Sequence, residues 1–158
     1  MDPKQFKLFQ QITLDYFAKL APGDEPTLGD AFLQFGEARL CDYTSLVRIH
    51  GEYDGCIFLT TPIAMLENLL EINGEPEVSP RTLRDMCREL SNVLSGNASQ
   101  AFGGNWEISV PISLSASEVA TLDLPDSTFV LPIAWRGVES LLVVGLTPGD
   151  VSENGGAR

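Results

Sequence analysis

The segment that most constrains the fold runs from Ser79 to Gly104, SPRTLRDMCRELSNVLSGNASQAFGG. Serine followed by proline marks a helix start, because the hydroxyl caps a free amide and proline suits the first helical position. The paired glycines stop the helix. The pattern predicts one helix over about 80–102, roughly 33 Å long, and such a helix needs an apolar surface to lie on. At about 100° per residue, Leu83, Met86, Cys87, Leu90, Val93, Leu94 and Ala101 fall in one arc, the expected core face. Asn97 falls on the same side and reads as a buried amide tying the helix to a neighbouring strand.

The rest of the chain supplies the surface. KQFKLFQQITLDYFAKL, residues 4–20, spaces Phe6, Phe9, Ile12, Tyr16, Phe17 and Leu20 as an amphipathic helix. APGDEPTLGD breaks it, and a short strand is expected near Ala31–Phe35. YTSLVRIHGEYDGCIFLTTP alternates on either side of GEYDG, which predicts a hairpin with strands near 43–50 and 54–61. Thr61-Pro62 repeats the cap-then-proline signal, and a helix is expected from there to Asn73-Gly74. WEISVPISL, STFVLPIAW and ESLLVVGL read as three further strands. RIHGEYDGCIFLTTP and AWRGVESLLVVGLTP share the order strand, glycine-bearing turn, strand, Thr-Pro, so the two hairpins are expected at related positions in one sheet. The fold class is therefore α/β (α+β): a single domain over 1–146, with helices on a largely antiparallel sheet and a frayed tail at 147–158.

Charge and cysteines exclude several functions. The chain has 158 residues and 22 acids against 10 bases, a net charge of −12. That balance disfavours nucleic acid and anionic membrane as partners. Cys41, Cys56 and Cys87 form no CxxC pair and read as small buried hydrophobes in a reducing compartment. The start, MDPKQFKLFQ, lacks a signal-peptide core, and no apolar run is long enough to span a bilayer; a cytoplasmic location is expected. His50 stands alone, so no metal site is expected, and the nucleotide-binding, hydrolase and zinc-protease motifs are missing. Glu52 and Asp54 sit in a hairpin turn, where acids are common for conformational reasons.

One stripe of the long helix remains to be explained. Asp85, Glu89, Asn92 and Gly96 line up on the side away from the core, with neighbours about 5–6 Å apart. A solvated face is one reading. Yet exposed helix surfaces favour Lys, Glu, Gln and Ala, while Asn and Gly each cost about 0.5–1 kcal/mol relative to Ala. The stripe itself holds no basic residue, and a glycine there leaves room for another backbone. A docking surface is the other reading.

The pattern Asp85-x-x-x-Glu89-x-x-Asn92, with Pro111 downstream, resembles the signature of the CheC/CheX family of chemotaxis phosphatases. The G-x-x-x-G hairpin, Gly51 to Gly55, is similar to that family's as well. The likeness spans roughly residues 43–145, and one copy of the motif fits the single-site CheX branch. The resemblance implies an activity: hydrolysis of the aspartyl phosphate of a response-regulator receiver domain. It implies that Asn92, inserted in trans, positions the attacking water, and that Glu89 meets the receiver's lysine. Gly96 permits the approach, and Asp85 is a peripheral docking contact. No cofactor of its own is implied; Mg²⁺ belongs to the receiver. Two rival readings keep the fold: a non-catalytic module that binds a receiver or a flagellar-switch protein, and a homodimerisation module pairing through sheet edges.

Overall fold

The structure is a computed structural model that describes residues 3–149. The order of elements is α1 (Pro3–Leu20), β1 (Thr27–Leu28), β2 (Phe32–Phe35), β3 (Tyr43–Gly51), β4 (Tyr53–Thr61), α2 (Ile63–Ile72) and α3 (Pro80–Ala101). Then follow β5 (Trp106–Ile108), β6 (Ile112–Leu114), α4 (Ala116–Ala120), β7 (Ser127–Trp135) and β8 (Val138–Pro148). All strands join one 8-stranded sheet of order β1-β7-β8-β4-β3-β5, in which β2 also pairs β7 and β6 also pairs β3. Every pairing is antiparallel.

The two hairpins meet at the centre. β4 and β8 lie side by side with Ile57 opposite Val144 and Phe58 opposite Val143. β3 and β7 flank them, and each receives two short strands from the other half of the chain. The arrangement is an approximate internal two-fold, which is how the Thr-Pro echo in the sequence appears in space. Each hairpin has its own turn chemistry. Arg136 and Gly137 both take positive φ, 51° and 75°, as a two-residue turn between right-twisted strands requires. In the β3–β4 hairpin, a Cβ on Gly51 would strike the Asn105 carbonyl, and one on Gly55 the Gly145 carbonyl. Close backbone approach therefore requires both glycines of the G-x-x-x-G motif.

The helices α1, α2 and α3 cover one face of the sheet. Phe6, Phe9, Phe17, Val47, Ile57, Leu59, Met65, Leu69, Leu90, Leu94 and Trp135 form the main core there. The opposite face holds a smaller core of Leu46, Cys56, Phe58, Val130, Leu141 and Val143, covered by Ala38, Leu40, Leu114, Leu122 and Leu124. Cys56 and Cys87 are buried, which pushes their thiols up to about 11 and about 12; Cys41 is only half-buried.

Several expectations need correction. The segment 21–30, expected to be all loop, contains β1, which Ala134 and Ile133 of β7 hold in register. WEISVPISL is two strands, β5 and β6, because the chain leaves the ladder between Ser109 and Pro111. The short helix α4, capped by Ser115 and Glu118, was not anticipated. Thr61 does not cap α2: Pro62 is the cap residue, and the Asp42 carboxylate accepts the Ile63 amide at 2.9 Å. β8 extends through Pro148, so the expected tail loses residues 147 and 148; residues 150–158 lie outside the described residues. Among the described residues no helix is long and apolar enough to cross a membrane.

Candidate functional site

The site is built on α3, which lies in the helical layer with α1 on one flank and α2 on the other. Ser79 and Thr82 fix its start: the Ser79 amide donates to Thr82 Oγ1 at 2.9 Å, and the Thr82 amide donates to Ser79 Oγ at 3.3 Å. Gly103 and Gly104, with φ of 106° and 76°, end it. The inner face buries Leu83, Met86, Cys87, Leu90, Leu94 and Ala98, as periodicity requires.

That face is wider than hydropathy indicated. Ser91, Ser95 and Ser99 are also buried. Ser91 and Ser45 of β3 share a 2.8 Å hydrogen bond between hydroxyls. Small hydroxyl residues let the helix approach the strand closely; Ser91 is satisfied by Ser45, whereas the buried Ser95 Oγ has no hydrogen-bond partner among the described residues. The buried arc is thus turned toward the serines, leaving Val93 half-buried and Ala101 exposed. The expectation for Asn97 fails for the same reason. Asn97 is exposed, and Ser91 makes the tie to the strand.

The stripe stays on the outside. Asp85, Glu89 and Asn92 are exposed and Gly96 is half-buried, all on the outer side of α3. The Glu89 and Asn92 side chains form no hydrogen bond or ion pair among the described residues. Asp85 is different: the Arg88 guanidinium, on the adjoining helical row, pairs with it. The absence of a basic residue within the stripe therefore did not leave Asp85 unpaired. At Gly96 an added Cβ would meet nothing within 4 Å. The fold leaves that space open and has no need of a glycine to fill it.

Three neighbours were not singled out from sequence as site residues. Tyr16 of α1 is half-buried beside α3, and burial together with the nearby Glu89 charge pushes its phenol up to about 12. The amphipathic pattern of α1 assigned Tyr16 to the core and gave no sign that it borders Glu89. Val110, 84% exposed, and Ile112, 44% exposed, lie at the β5–β6 bend, and both strands pack along α3. The signal was the proline between them, which stops the ladder and leaves a hydrophobic side chain in solvent. The other polar cluster is structural: His50 Nδ1 lies 2.6 Å from Asp54 Oδ1, which also accepts the Gly51 amide at 3.4 Å.

Residues 43–133 match the family model of the chemotaxis phosphatase CheX. The chain belongs to the CheX family. The matched span contains all four stripe residues, Gly51, Gly55 and Pro111. Solved structures share the fold. CheX from Desulfovibrio desulfuricans aligns with a TM-score of 0.74 at 17% identity, covering 91% of this chain and 99% of that one. CheX in a CheX–CheY–BeF3–Mg²⁺ complex from Borrelia burgdorferi gives 0.69 at 12% identity, covering 90% and 97%. The FliM middle domain from Vibrio alginolyticus gives 0.59 at 17% identity, covering 95% and 96%. No curated protein matches the sequence.

Proposed function

We propose that this CheX-family chain hydrolyses the aspartyl phosphate of a response-regulator receiver domain, with α3 entering the receiver's phosphorylation site. Hydrolysis requires a water in line with the bond between phosphorus and the aspartate oxygen. As that bond breaks, the water oxygen becomes part of inorganic phosphate and the aspartate leaves as a carboxylate. Positioning supplies most of the catalysis in phosphoryl transfer. A carboxamide can donate to and accept from one water, and Asn92 holds a free one at the surface. Glu89, one turn back, is the group to meet a receiver lysine and fix the docking register. Gly96 keeps the approach clear, and Asp85, already held by Arg88, is a peripheral contact. Mg²⁺ enters with the receiver, and the chain supplies no metal of its own.

The observation that carries this reading is the alignment of an unpaired acid, an unpaired amide and open space on a rigidly seated helix. The test is receiver-phosphate decay with and without the protein. Asn92→Ala should lose at least about a hundredfold of the acceleration while changing stability by no more than about 0.5 kcal/mol. Glu89→Ala should mainly weaken receiver binding. If the wild type leaves phosphoaspartate lifetime unchanged but binds the receiver, the chain is a binding module instead.

A second reading concerns self-association. β2 carries exposed Phe32, Leu33 and Phe35 on a strand that pairs only β7 among the described residues. An apolar strand with a free edge is suited to pairing with a second copy. Phe35→Lys should then shift a dimer to monomer in sedimentation, and a wild-type monomer at high concentration removes the reading.

A further inference from the structure

Charge is not spread evenly over this acidic protein. α1 and α3 together carry Lys4, Lys7, Lys19, Arg81, Arg84 and Arg88, six of the ten basic side chains. They carry only Asp15, Asp85 and Glu89, three of the 22 acidic ones. The remainder of the chain therefore has four bases against nineteen acids. All three lysines of the sequence lie on α1. The two helices run antiparallel, since Phe9 stacks near Phe102 at 5.6 Å while Tyr16 senses the Glu89 charge. Lys19, one turn beyond Tyr16, is thereby brought toward the end of α3 that bears Arg81, Arg84 and Arg88. Arg88 is half-buried and paired, but Lys19 and Arg84 are exposed and have no ion pair among the described residues.

We infer that α1 and α3 form a basic rim on the α1 side of the Glu89–Asn92 stripe, and that this rim steers an acid-rich protein surface onto the stripe. The α2 side is acidic, with Glu67, Glu71 and Glu75. The inference rests on the receiver reading above and adds what kind of surface the receiver must present: carboxylates flanking the phosphoryl site. A phosphoryl group carries close to two negative charges itself. A net charge of −12 repels such a partner from most directions, whereas the rim attracts it from one. The rest of the surface, α2 included, thus disfavours wrong orientations while the α1–α3 side admits the productive one. Steering of this kind raises association rates by about 10–10³-fold and fades with salt.

The experiment measures association of the full chain with a beryllofluoride- and Mg²⁺-loaded receiver from the same genome, across ionic strength. The paired reversal Lys19→Glu with Arg84→Glu should slow association by about tenfold or more at low salt, with the dissociation rate within about twofold. Wild type and variant should converge near 0.5 M salt. Arg48→Glu, a reversal on the opposite face of the sheet, should change association by less than about twofold, which separates a local rim from net charge. Binding with these rate effects but no accelerated phosphate loss would keep the rim and reject the phosphatase. Accelerated loss with salt-independent association, or with Arg48→Glu as damaging as the paired reversal, would reject the rim and keep the phosphatase. No association with any receiver rejects both.

Discussion

α1 and α3 are two versions of one helix. Each begins on a proline, Pro3 or Pro80, and each packs on the same face of the sheet. Counted from those prolines, the buried Phe6, Phe9, Thr13 and Phe17 of α1 match the buried Leu83, Met86, Leu90 and Leu94 of α3 step for step. In the same count Asp85, Glu89, Asn92 and Gly96 answer to Leu8, Ile12, Asp15 and Lys19. The inner faces are alike because both helices must fill the same kind of groove. The stripe positions differ because the fold buries Ile12 of α1 in the core but leaves Glu89, at the matching step of α3, exposed. Where α3 carries an exposed acid, an exposed amide and a gap, α1 carries exposed Leu8, core-packed Ile12, Asp15 hydrogen-bonded to Gln11, and Lys19 without an ion pair among the described residues.

The comparison breaks first if the inner faces are not equivalent. Phe17→Ala should cost about 3–5 kcal/mol and Leu94→Ala about 2–5 kcal/mol in denaturant unfolding; tolerance of either would end the parallel. A reciprocal exchange sharpens the outer contrast. Ile12 is 9% exposed, so Ile12→Glu buries an uncompensated charge and should cost about 3 kcal/mol. Glu89→Ile, at the matching step of α3, should stay within about 0.5 kcal/mol in the same assay. Gly96→Ala should raise stability by about 0.5–1 kcal/mol, because nothing opposes the new methyl and glycine weakens a helix interior. It should nonetheless slow receiver dephosphorylation, and a variant both more stable and fully active would show that the gap is not used.

The smallest effect is spectroscopic. Tyr16 holds its proton more tightly in the fold than in the unfolded chain. Stability linked to it is full below the unfolded value of about 10 and is lost as pH rises through the folded value of about 12. Glu89→Gln removes the charge that adds to this, so the Tyr16 absorbance midpoint, isolated by difference from Tyr16→Phe, should fall. An unmoved midpoint would separate α1 from the stripe.

Most of the scaffold was legible because its signals are local. Ser79-Pro80, Gly103-Gly104 and the alternation around Gly51 and Gly55 each act through nearby backbone, and they gave α3 and the first hairpin to within a residue or two. The stripe was legible because helical phase is arithmetic. What stayed hidden depends on distant partners. β1 exists only because β7 offers it an edge, and α2 takes its amide acceptor from Asp42, just before the neighbouring strand β3. Ser91, Ser95 and Ser99 looked solvent-facing by hydropathy, and tertiary packing, for Ser91 against Ser45 of β3, puts them inside. That misjudgement moved Asn97 to the wrong side, while Asp85, Glu89 and Asn92 lay far enough round the helix to be unaffected. The pairing of Asp85 with Arg88 follows from i,i+3 spacing, but it joins the stripe to the adjoining helical row and so does not show in the charges of the stripe alone.

The serine seam beneath α3 has a mechanical side. Ser91, Ser95 and Ser99 are small and buried, and the Ser91–Ser45 bond ties α3 directly to β3 beside the longer Leu90 and Leu94. Here a load applied at Asn92 passes almost directly into β3 and the centre of the sheet. Whatever surface meets this helix encounters a stiff edge, and it is the visitor that must adjust.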